Sequence, residues 1–409
     1  MQDGLRASWW IAAISFLSGI GGGVVFPILP VLGMQLGLSA AMVGLILAAN
    51  RITRIACNPF TGALVDRFGA RWPVAFGLFT ETLAVLGFSV AVHAQSPAAW
   101  FLTGRVAWGV GSSLILVGAL AAVMGVASPA TRGRLTGRVR TAMTLGLPAG
   151  MLLGGVITDL ASPEDAFLSA AILTFATGLF ALFAMPSDAI VPGSEESQGV
   201  ADPVWRSMLA NPLLQLIWCS NALVFFAISG VLLATLVVLV HARGLHVLGL
   251  GSSGTAGLLM ALLMVSRAVA SLASGAFVDR HDGRTALLLP AALVTTLGFV
   301  GLALAMHDWS VGLALATIGL GSGALTIPML TLLTDTTPAH ARGRATGLYQ
   351  VYGDIGGSLG PIVGLQLGVW MGYGTIYLGV ALGMLAAAFP LYGLTRRERS
   401  GSLRSSANG

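Results

Sequence analysis

Six ionisable side chains lie within long apolar stretches of this 409-residue sequence: Arg51, Arg54, Glu81, Arg105, Arg267 and Asp354. A charge at the centre of a lipid bilayer costs about 2.5–3.5 kcal/mol on insertion scales, so each of them needs a partner or a role. Buried arginines can bind anions or backbone carbonyls, and a buried carboxylate can take up and release a proton. The chemistry that these residues allow is charge pairing, anion binding and proton transfer.

The composition indicates that these side chains lie in a membrane. Only 9% of the residues are charged, 56% are hydrophobic and the mean hydropathy is +0.86. A soluble domain carries about 25% charged residues, so too little polar surface remains here to coat a water-soluble globule. The isoelectric point near 9.9 does not indicate nucleic-acid binding, because the arginines have an explanation in membrane topology.

Twelve stretches are long enough to cross a bilayer as helices, which takes about 20 apolar residues each. They lie at about 8–34, 39–64, 73–94, 98–126, 139–161, 165–185, 211–240, 253–278, 286–306, 310–334, 345–371 and 374–395. Most connections are short, and only the polar segment 186–210 is long. The sequence therefore predicts an all-α polytopic membrane protein with twelve transmembrane helices in two pseudo-symmetric six-helix bundles.

The arginines outside these stretches predict the orientation of the chain. If the N-terminus is cytoplasmic, nearly all of them fall in cytoplasmic segments, and the outer loops hold Arg243 alone. Cytoplasmic loops of membrane proteins are enriched in basic residues in this way. We expect a multi-pass protein of the plasma (inner) membrane with both termini in the cytoplasm.

A repeated decapeptide indicates that the two halves are homologous. GALVDRFGAR at 62–71 recurs as GAFVDRHDGR at 275–284, an offset of 213, and further along RGRLTG at 132–137 recurs as RGRATG at 342–347, an offset of 210. Repeats of this kind place a substrate path at their interface and let one half rock against the other. We predict an N-terminal bundle at 1–185, a cytoplasmic linker at 186–210, a C-terminal bundle at 211–395 and a cytoplasmic tail at 396–409.

With these motifs the whole chain resembles the major facilitator superfamily. The family's Gly-x-Leu-x-Asp-Arg-x-Gly-x-Arg loop between helices 2 and 3 is matched by Gly62, Leu64, Asp66, Arg67, Gly69 and Arg71. Its second-half echo is matched by Gly275, Asp279, Arg280 and Arg284. The helix-4 signature, an Arg followed by Gly-x-Gly, is matched by Arg105, Gly109 and Gly111.

The helix-5 glycine spacing is similar to that of the family's exporters. It is matched by Gly137, Gly146, Gly150, Gly154 and Gly155, with Met151 at the family's proline position and Pro148 one turn earlier. The resemblance implies the proton-coupled drug and metabolite exporter branch, with transport by alternating access and no cofactor. It also implies a role for Arg105 in proton handling.

The loop motif predicts a conformational latch. Asp66 and Arg67 lie where the second predicted helix meets the cytoplasm, where a carboxylate can face a helix N-terminus or an arginine of the opposite bundle. Such a pairing would form in one global state and break in the other, whereas the alternative is a solvated loop without coupling. The duplicated acid favours the latch, whose residues would be Gly62, Asp66, Arg67, Arg71, Asp279, Arg280 and Arg284.

Glycines four residues apart on the fifth predicted helix form a smooth stripe. Gly146, Gly150 and Gly154 would let a neighbouring helix approach closely. Ordinary helix packing explains this stripe as well as a transport-specific role does.

The intramembrane arginines are predicted to differ in role. Arg54 and Arg267 are repeat equivalents, which favours a structural role in both halves over contact with a substrate. Arg51 has Met264 as its counterpart, so a half-specific role is expected, either substrate contact or pairing with Glu81. Arg105 has Leu315 as its counterpart and is expected to be functional.

Either intramembrane carboxylate could carry the proton, and we favour Asp354. Glu81 lies on the third predicted helix, where it could neutralise Arg54 or Arg51 on the neighbouring helix. Asp354 has Thr144 as its repeat counterpart, and its alternatives are a permanent salt bridge with Arg267 or a latch. The remaining predicted cavity residues are Asn50, Ser112, Asn221, Phe225, Tyr349 and Gln350.

These residues favour two classes of function and disfavour a third. The first is proton-coupled efflux of a small amphipathic compound or drug, and the second is transport of a small organic anion drawn by the surplus of arginine. The third, a membrane enzyme, is disfavoured because no histidine lies within a predicted helix core and no metal-ligand cluster is evident. We expect a monomer in the lipid bilayer whose partners are protons and a small-molecule substrate, with no metal and no nucleic acid.

Overall fold

The computed structural model describes residues 2–128, 131–186, 203–280, 286–338 and 341–407. All regular secondary structure within these residues is helical, and no strand occurs among them. The all-α prediction is therefore confirmed.

Before the predicted linker, the described residues form seven helices. They are α1 (Gln2–Gly23), α2 (Leu29–Gln35), α3 (Ala40–Phe68), α4 (Arg71–Ala91), α5 (Pro97–Val126), α6 (Arg132–Leu160) and α7 (Pro163–Ala184). Ser39 caps α3 by accepting a hydrogen bond from the Met42 backbone N–H at 3.2 Å, and Ser162 caps α7 in the same way. Prolines stand at the first position of α5 and of α7, where the missing N–H would have had no helical partner.

The described residues of the second half form eight α-helices and one π-helical segment. They are α8 (Pro203–Ala210), α9 (Pro212–Phe225), the π segment (Phe226–Leu232), α10 (Leu233–Arg243), α11 (Ser252–Arg280), α12 (Leu288–Leu304), α13 (Asp308–Thr336), α14 (Arg342–Met371) and α15 (Tyr373–Ala407). Asn211 caps α9 by accepting from the N–H groups of Leu213 and Leu214. Backbone helix in α15 continues through most of the predicted tail.

The helices cover all twelve predicted membrane crossings. Nine helical segments of the described residues are long and apolar enough to cross a membrane, and α12 is a shorter apolar helix of 17 residues. The first and eleventh predicted crossings are helical as α1 and α14. The predicted polytopic fold is confirmed.

Two crossings are interrupted, which corrects the prediction of a continuous first helix over 8–34. The chain leaves the helix after Gly23, passes through turns and re-enters at Leu29, in a stretch where Pro27 and Pro30 lack the N–H that a continuous helix needs. The seventh crossing contains the π segment between α9 and α10. Irregular helices in membranes are tolerated where they are buried in protein or line a cavity.

The chain divides into two compact units. Unit 1 takes in Met1–Ser197 and Leu233–Ala261, and unit 2 takes in Gln198–Leu232 and Leu262–Gly409. The predicted division into bundles at 1–185 and 211–395 differs from this one by the stretch Leu233–Ala261 and stays a prediction.

Equivalent helix contacts recur in the two halves. A Cβ placed on Gly109 of α5 would lie 2.6 Å from the Thr53 Cβ of α3, and one on Gly319 of α13 would lie 2.8 Å from the Ser266 Cβ of α11. The glycines are 210 residues apart and their contacts 213, the offsets found in the sequence. The pseudo-symmetry of the sequence is thus present in the packing.

Candidate functional site

Arg105 is held inside the first unit by three uncharged acceptors. Its side chain is 1% exposed, and its guanidinium donates to the carbonyls of Ile46 and Leu47 at 3.3 and 3.1 Å. A third hydrogen bond reaches the side-chain oxygen of Asn50 at 3.1 Å. The arrangement fixes α5 to α3 and leaves a buried positive charge that these acceptors do not neutralise.

Arg51 adds a second positive charge to this site. It follows Asn50 on α3, is half-buried and interacts with Arg105 as a like charge. Arg54, one turn further along α3, is also half-buried. Ser112 is half-buried on α5 and donates to the Gly109 carbonyl at 3.1 Å, so it belongs to the same pair of helices.

Glu81 is buried in unit 1 at 1% exposure. Among the described residues, the partner recorded for its carboxylate is the Ser18 hydroxyl of α1, which donates at 3.3 Å. Its methylene carbon packs against Gly111 of α5, where an added Cβ would lie 3.0 Å away. The structure thus places Glu81 between α1 and α5 and gives it a hydroxyl partner where an arginine was expected.

A second polar and aromatic cluster lies between α9 and α14 in unit 2. Asn221, 3% exposed, donates to the Tyr349 carbonyl at 2.6 Å, and the Trp218 indole donates to the Ala345 carbonyl at 3.2 Å. Trp218 also packs against the Tyr352 ring with centroids 5.8 Å apart. Tryptophans in membrane helices usually face lipid or core, so the sequence alone gives little reason to single out Trp218.

Asp354 lies in the middle of α14 beside this cluster and is 2% exposed. The preceding residue, Gly353, faces the Asn221 amide and the Phe225 ring, since a Cβ there would lie 2.9 and 3.3 Å from them. Arg267 of α11 stands over the Phe225 ring at 5.8 Å and interacts electrostatically with the Tyr349 phenol. The structure therefore brings together Arg267, Asn221, Phe225 and Tyr349, whereas Gln350 is exposed on α14.

The predicted latch residues of the first half lie at the junction of α3 and α4. Asp66 and Arg67 are exposed, and Arg67 stands over the ring of its neighbour Phe68 at 5.2 Å. Arg71 donates from Nε to the Met185 carbonyl at 2.8 Å, which ties α4 to the end of α7. Gly62 has open space around it.

The predicted latch residues of the second half are described only in part. Asp279 and Arg280 end α11, where the backbone alone is described, and Arg284 lies outside the described residues. The latch stays a prediction.

The helix-5 glycines form a close contact with α1. A Cβ on Gly146 would lie 3.0 Å from the Gly19 Cα, and one on Gly154 would lie 2.7 Å from the Val24 Cα. Gly150 between them meets the Ile20 backbone, and Pro148 is buried within α6. Gly155 faces elsewhere, toward Ser253 and Gly254 at the start of α11.

Sequence reasoning missed two polar contacts in unit 1. The hydroxyls of Thr61 and Ser113 lie 2.8 Å apart, and Ser113 donates to the Asn58 side chain at 2.7 Å, which joins α3 to α5. Asp159 near the end of α6 accepts hydrogen bonds from α11. Asp159 lies at the end of the predicted crossing over 139–161, and the sequence alone assigns it no role.

Membrane-crossing helices in two repeated halves, with charged side chains buried midway along them, define the class: this is a multi-pass membrane transporter. The family model of the Major Facilitator Superfamily matches residues 11–361 and 235–408, and the chain belongs to that family. Among the described residues, no group of three or more His, Cys, Asp or Glu side chains is placed to hold a metal ion.

Relatives with established names cover nearly the whole chain. The multi-drug resistance efflux pump PmrA of Streptococcus pneumoniae serotype 4 (strain ATCC BAA-334 / TIGR4) is 24% identical over 392 residues, which is 93% of each chain. The tetracycline resistance protein, class B, of Escherichia coli is 27% identical over 367 residues, 86% of this chain and 85% of that one.

A solved structure shares the fold. The crystal structure of a bacterial homologue of the human lysosomal transporter Spinster, in an inward-facing and unoccupied conformation, matches with a TM-score of 0.79 at 14% identity. The match covers 96% of this chain and 97% of that one.

Proposed function

We propose that the protein is a proton-coupled antiporter that exports a small amphipathic compound by alternating access. The observation that carries the proposal is Asp354, a carboxylate 2% exposed in the middle of a membrane helix. Its neighbour Gly353 faces Asn221 and Phe225, and Tyr349 lies one turn earlier on the same helix. A charged carboxylate in a membrane is costly, so it holds a proton while it is buried. When the site opens to water on one side of the membrane, the carboxylate can exchange its proton with that side.

The interrupted helices support a substrate path near these residues. The first crossing breaks after Gly23 and the seventh contains the π segment, and these are the first helices of the two repeated halves. In transporters built from two repeated halves, helices interrupted at corresponding positions indicate where the substrate binds. The π segment directly follows Phe225 of the Asp354 cluster.

The direction and the substrate class rest on the relatives. Relatives named as a multi-drug resistance efflux pump and a tetracycline resistance protein support export of a drug-like compound. The aromatic rings of Phe225 and Tyr349 and the amide of Asn221 in this cluster could contact both the apolar and the polar parts of an amphipathic molecule.

Proton flux in proteoliposomes that hold a pH gradient tests this proposal. A panel of lipophilic cations, neutral antibiotics and organic acids is added to the wild type, Asp354→Asn and Glu81→Gln. Asp165→Asn serves as the matched control, because Asp165 is exposed and bonds within its own helix to Ser162. We expect a compound-evoked collapse of the gradient that Asp354→Asn abolishes and the control retains.

Two results would contradict the proposal. Compound transport by the wild type without proton movement would remove the coupling. Unchanged coupling in Asp354→Asn together with its loss in Glu81→Gln would move the proton site to the α1–α5 contact.

A second candidate function is proton-coupled transport of a small organic anion, by symport or export. The specific observation in its favour is the Arg105 site, where a buried guanidinium has three uncharged acceptors and Arg51 adds a second positive charge. A carboxylate or phosphate would be attracted by the positive charges of these two side chains. Transport of the organic acids alone from the panel, lost in Arg51→Gln, would favour this candidate over drug export.

We also propose that both termini face the cytoplasm and that the protein works as a monomer in the plasma membrane. A third proposal is that the latch residues pair in one of the two global states. The arginine asymmetry of the sequence supports the orientation. Labelling of cysteines introduced at Ser128 and at Gly249, on opposite predicted sides, tests the orientation. The mass of the detergent-solubilised protein tests the oligomeric state.

A further inference from the structure

A carboxylate near the end of α6 binds the first turn of α11. Asp159 is half-buried, and its two oxygens accept hydrogen bonds from the backbone N–H groups of Ser253 and Gly254 at 3.2 and 2.6 Å. Because α11 begins at Ser252, these donors are among the N–H groups that have no acceptor within the helix. The negative charge also interacts favourably with the positive end of the helix dipole.

Glycines make room for this carboxylate. A Cβ on Gly251 would lie 2.7 Å from the Asp159 carboxyl carbon, and one on Gly254 would lie 2.5 Å from an Asp159 oxygen. Beside it the two helices meet backbone to backbone, since a Cβ on Gly257 would lie 3.3 Å from the Leu152 Cα. Three glycines at one helix start thus allow α6 to approach and its carboxylate to dock.

The two repeated halves differ at this helix start. Ser39 caps α3 with its own hydroxyl, which accepts from the Met42 N–H. Ser252 is its equivalent at an offset of 213, yet the Ser252 hydroxyl lies 3.2 Å from His241 Nδ1. Val369 occupies the position equivalent to Asp159 at an offset of 210. The first-half helix caps itself, whereas α11 takes its cap from another helix.

We propose that Asp159 and the N-terminus of α11 form a contact that holds α6 against α11 in the present conformation and breaks in the opposite-facing state. The proposal rests on the alternating access of the proposed function. When the two helices separate, the Asp159 carboxylate and the two N–H groups lose their hydrogen bonds to each other and must bind water. A cap supplied by α11 itself would stay intact on separation and would add no such cost. Asp159 therefore sets the balance between the two states without touching the substrate.

The rate of cysteine labelling from outside tests the contact. In a background with Cys57→Ser and Cys219→Ser, Leu152→Cys places a half-buried reporter where α6 packs on Gly257. A membrane-impermeant maleimide is applied without substrate and without a pH gradient. Asp159→Asn should speed labelling roughly three- to tenfold, because the amide loses the charge and one of the two acceptors.

Control variants separate the contact from a general loss of charge. Asp165→Asn removes a carboxylate six residues away and should leave the rate unchanged. Gly251→Ala crowds the carboxylate without removing it and should speed labelling in the same direction as Asp159→Asn.

A rescue variant separates a link between helices from a simple cap. Ser252→Asp added to Asp159→Asn gives α11 an acceptor of its own but restores no link to α6, so labelling should stay fast. Restoration of the wild-type rate by Ser252→Asp, or an unchanged rate in Asp159→Asn, would overturn the proposal. The labelling rate is measured without transport. A failure to find proton-coupled efflux would therefore contradict the proposed function but would not change the labelling result for Asp159.

Discussion

The contact between α6 and α1 predicts a sharp difference between two glycines of the same helix. A Cβ on Gly150 would lie 2.7 Å from the Ile20 carbonyl carbon and 2.9 Å from its Cα, closer than real Cβ atoms approach backbone. Gly150→Ala must therefore push α1 away from α6, since neither backbone can yield alone. Gly137, also on α6, has no atom within 4 Å of such a Cβ, so Gly137→Ala is the matched control.

The expected sizes follow from packing and helix propensity. Forcing an extra methyl group into a filled contact costs about 1–3 kcal/mol. Alanine gains up to about 1 kcal/mol over glycine in a helix interior, which offsets part of this cost at Gly150 and acts alone at Gly137. About 1 kcal/mol changes a melting temperature by roughly 2–4 °C for a unit of about 200 residues.

Thermal unfolding of the purified protein in detergent, followed by the monomer peak in size-exclusion chromatography, measures both variants. Gly150→Ala should lower the apparent melting temperature by several degrees, and Gly137→Ala should leave it unchanged or raise it. Equal melting temperatures for Gly150→Ala and Gly137→Ala would refute the close approach of the two helices, because the gain in helix propensity is the same in both variants.

Three further substitutions test individual contacts. Arg105→Lys keeps the charge but cannot reach all three acceptors of the guanidinium, so compound efflux from cells should fall at least tenfold at normal expression; unchanged efflux would exclude the need for this geometry. Trp218→Phe removes the indole hydrogen bond and should cost about 1 kcal/mol, measured as a lower melting temperature with binding retained. Arg71→Gln should destabilise unit 1 in the same assay, by about 1–2 kcal/mol, because the α7 carbonyl at its end loses a charged donor; an unchanged melting temperature with impaired transport would instead favour the latch.

The crossings and the glycine stripes were predictable because they depend on residue type alone. Apolar length determines where a helix can cross a bilayer, and repeated offsets of 213 and 210 placed equivalent glycines on equivalent helices. Given the contact of Gly109 with Thr53, the symmetry predicts the equivalent contact of Gly319 with Ser266. These features require no knowledge of how a helix is turned about its axis.

The partners of the buried charges were harder to predict for that reason. Hydropathy carries no rotational signal on a helix that is apolar all round, so an arginine partner for Glu81 was inferred from charge alone. The structure turns the carboxylate toward Ser18 of α1. The break after Gly23 did carry a signal, since Pro27 and Pro30 stand within the same apolar stretch, whereas the π segment has no residue type that marks it.

The π segment makes the seventh crossing tolerant of changes in chain length. A π turn holds one more residue than an α turn, so loss of a single residue between Phe226 and Leu232 would return the helix to regular α geometry. The residues beyond it would keep nearly the same orientation about the helix axis, because the π turn had already absorbed the extra residue. The stretch Leu233–Val240 is aliphatic almost all round and buried at every position, so it has no polar face to misplace. Insertions and deletions usually disrupt a membrane helix, but this crossing can absorb them during evolution. They would fall beside the Asp354 cluster, whose side chains would have to change for a new substrate.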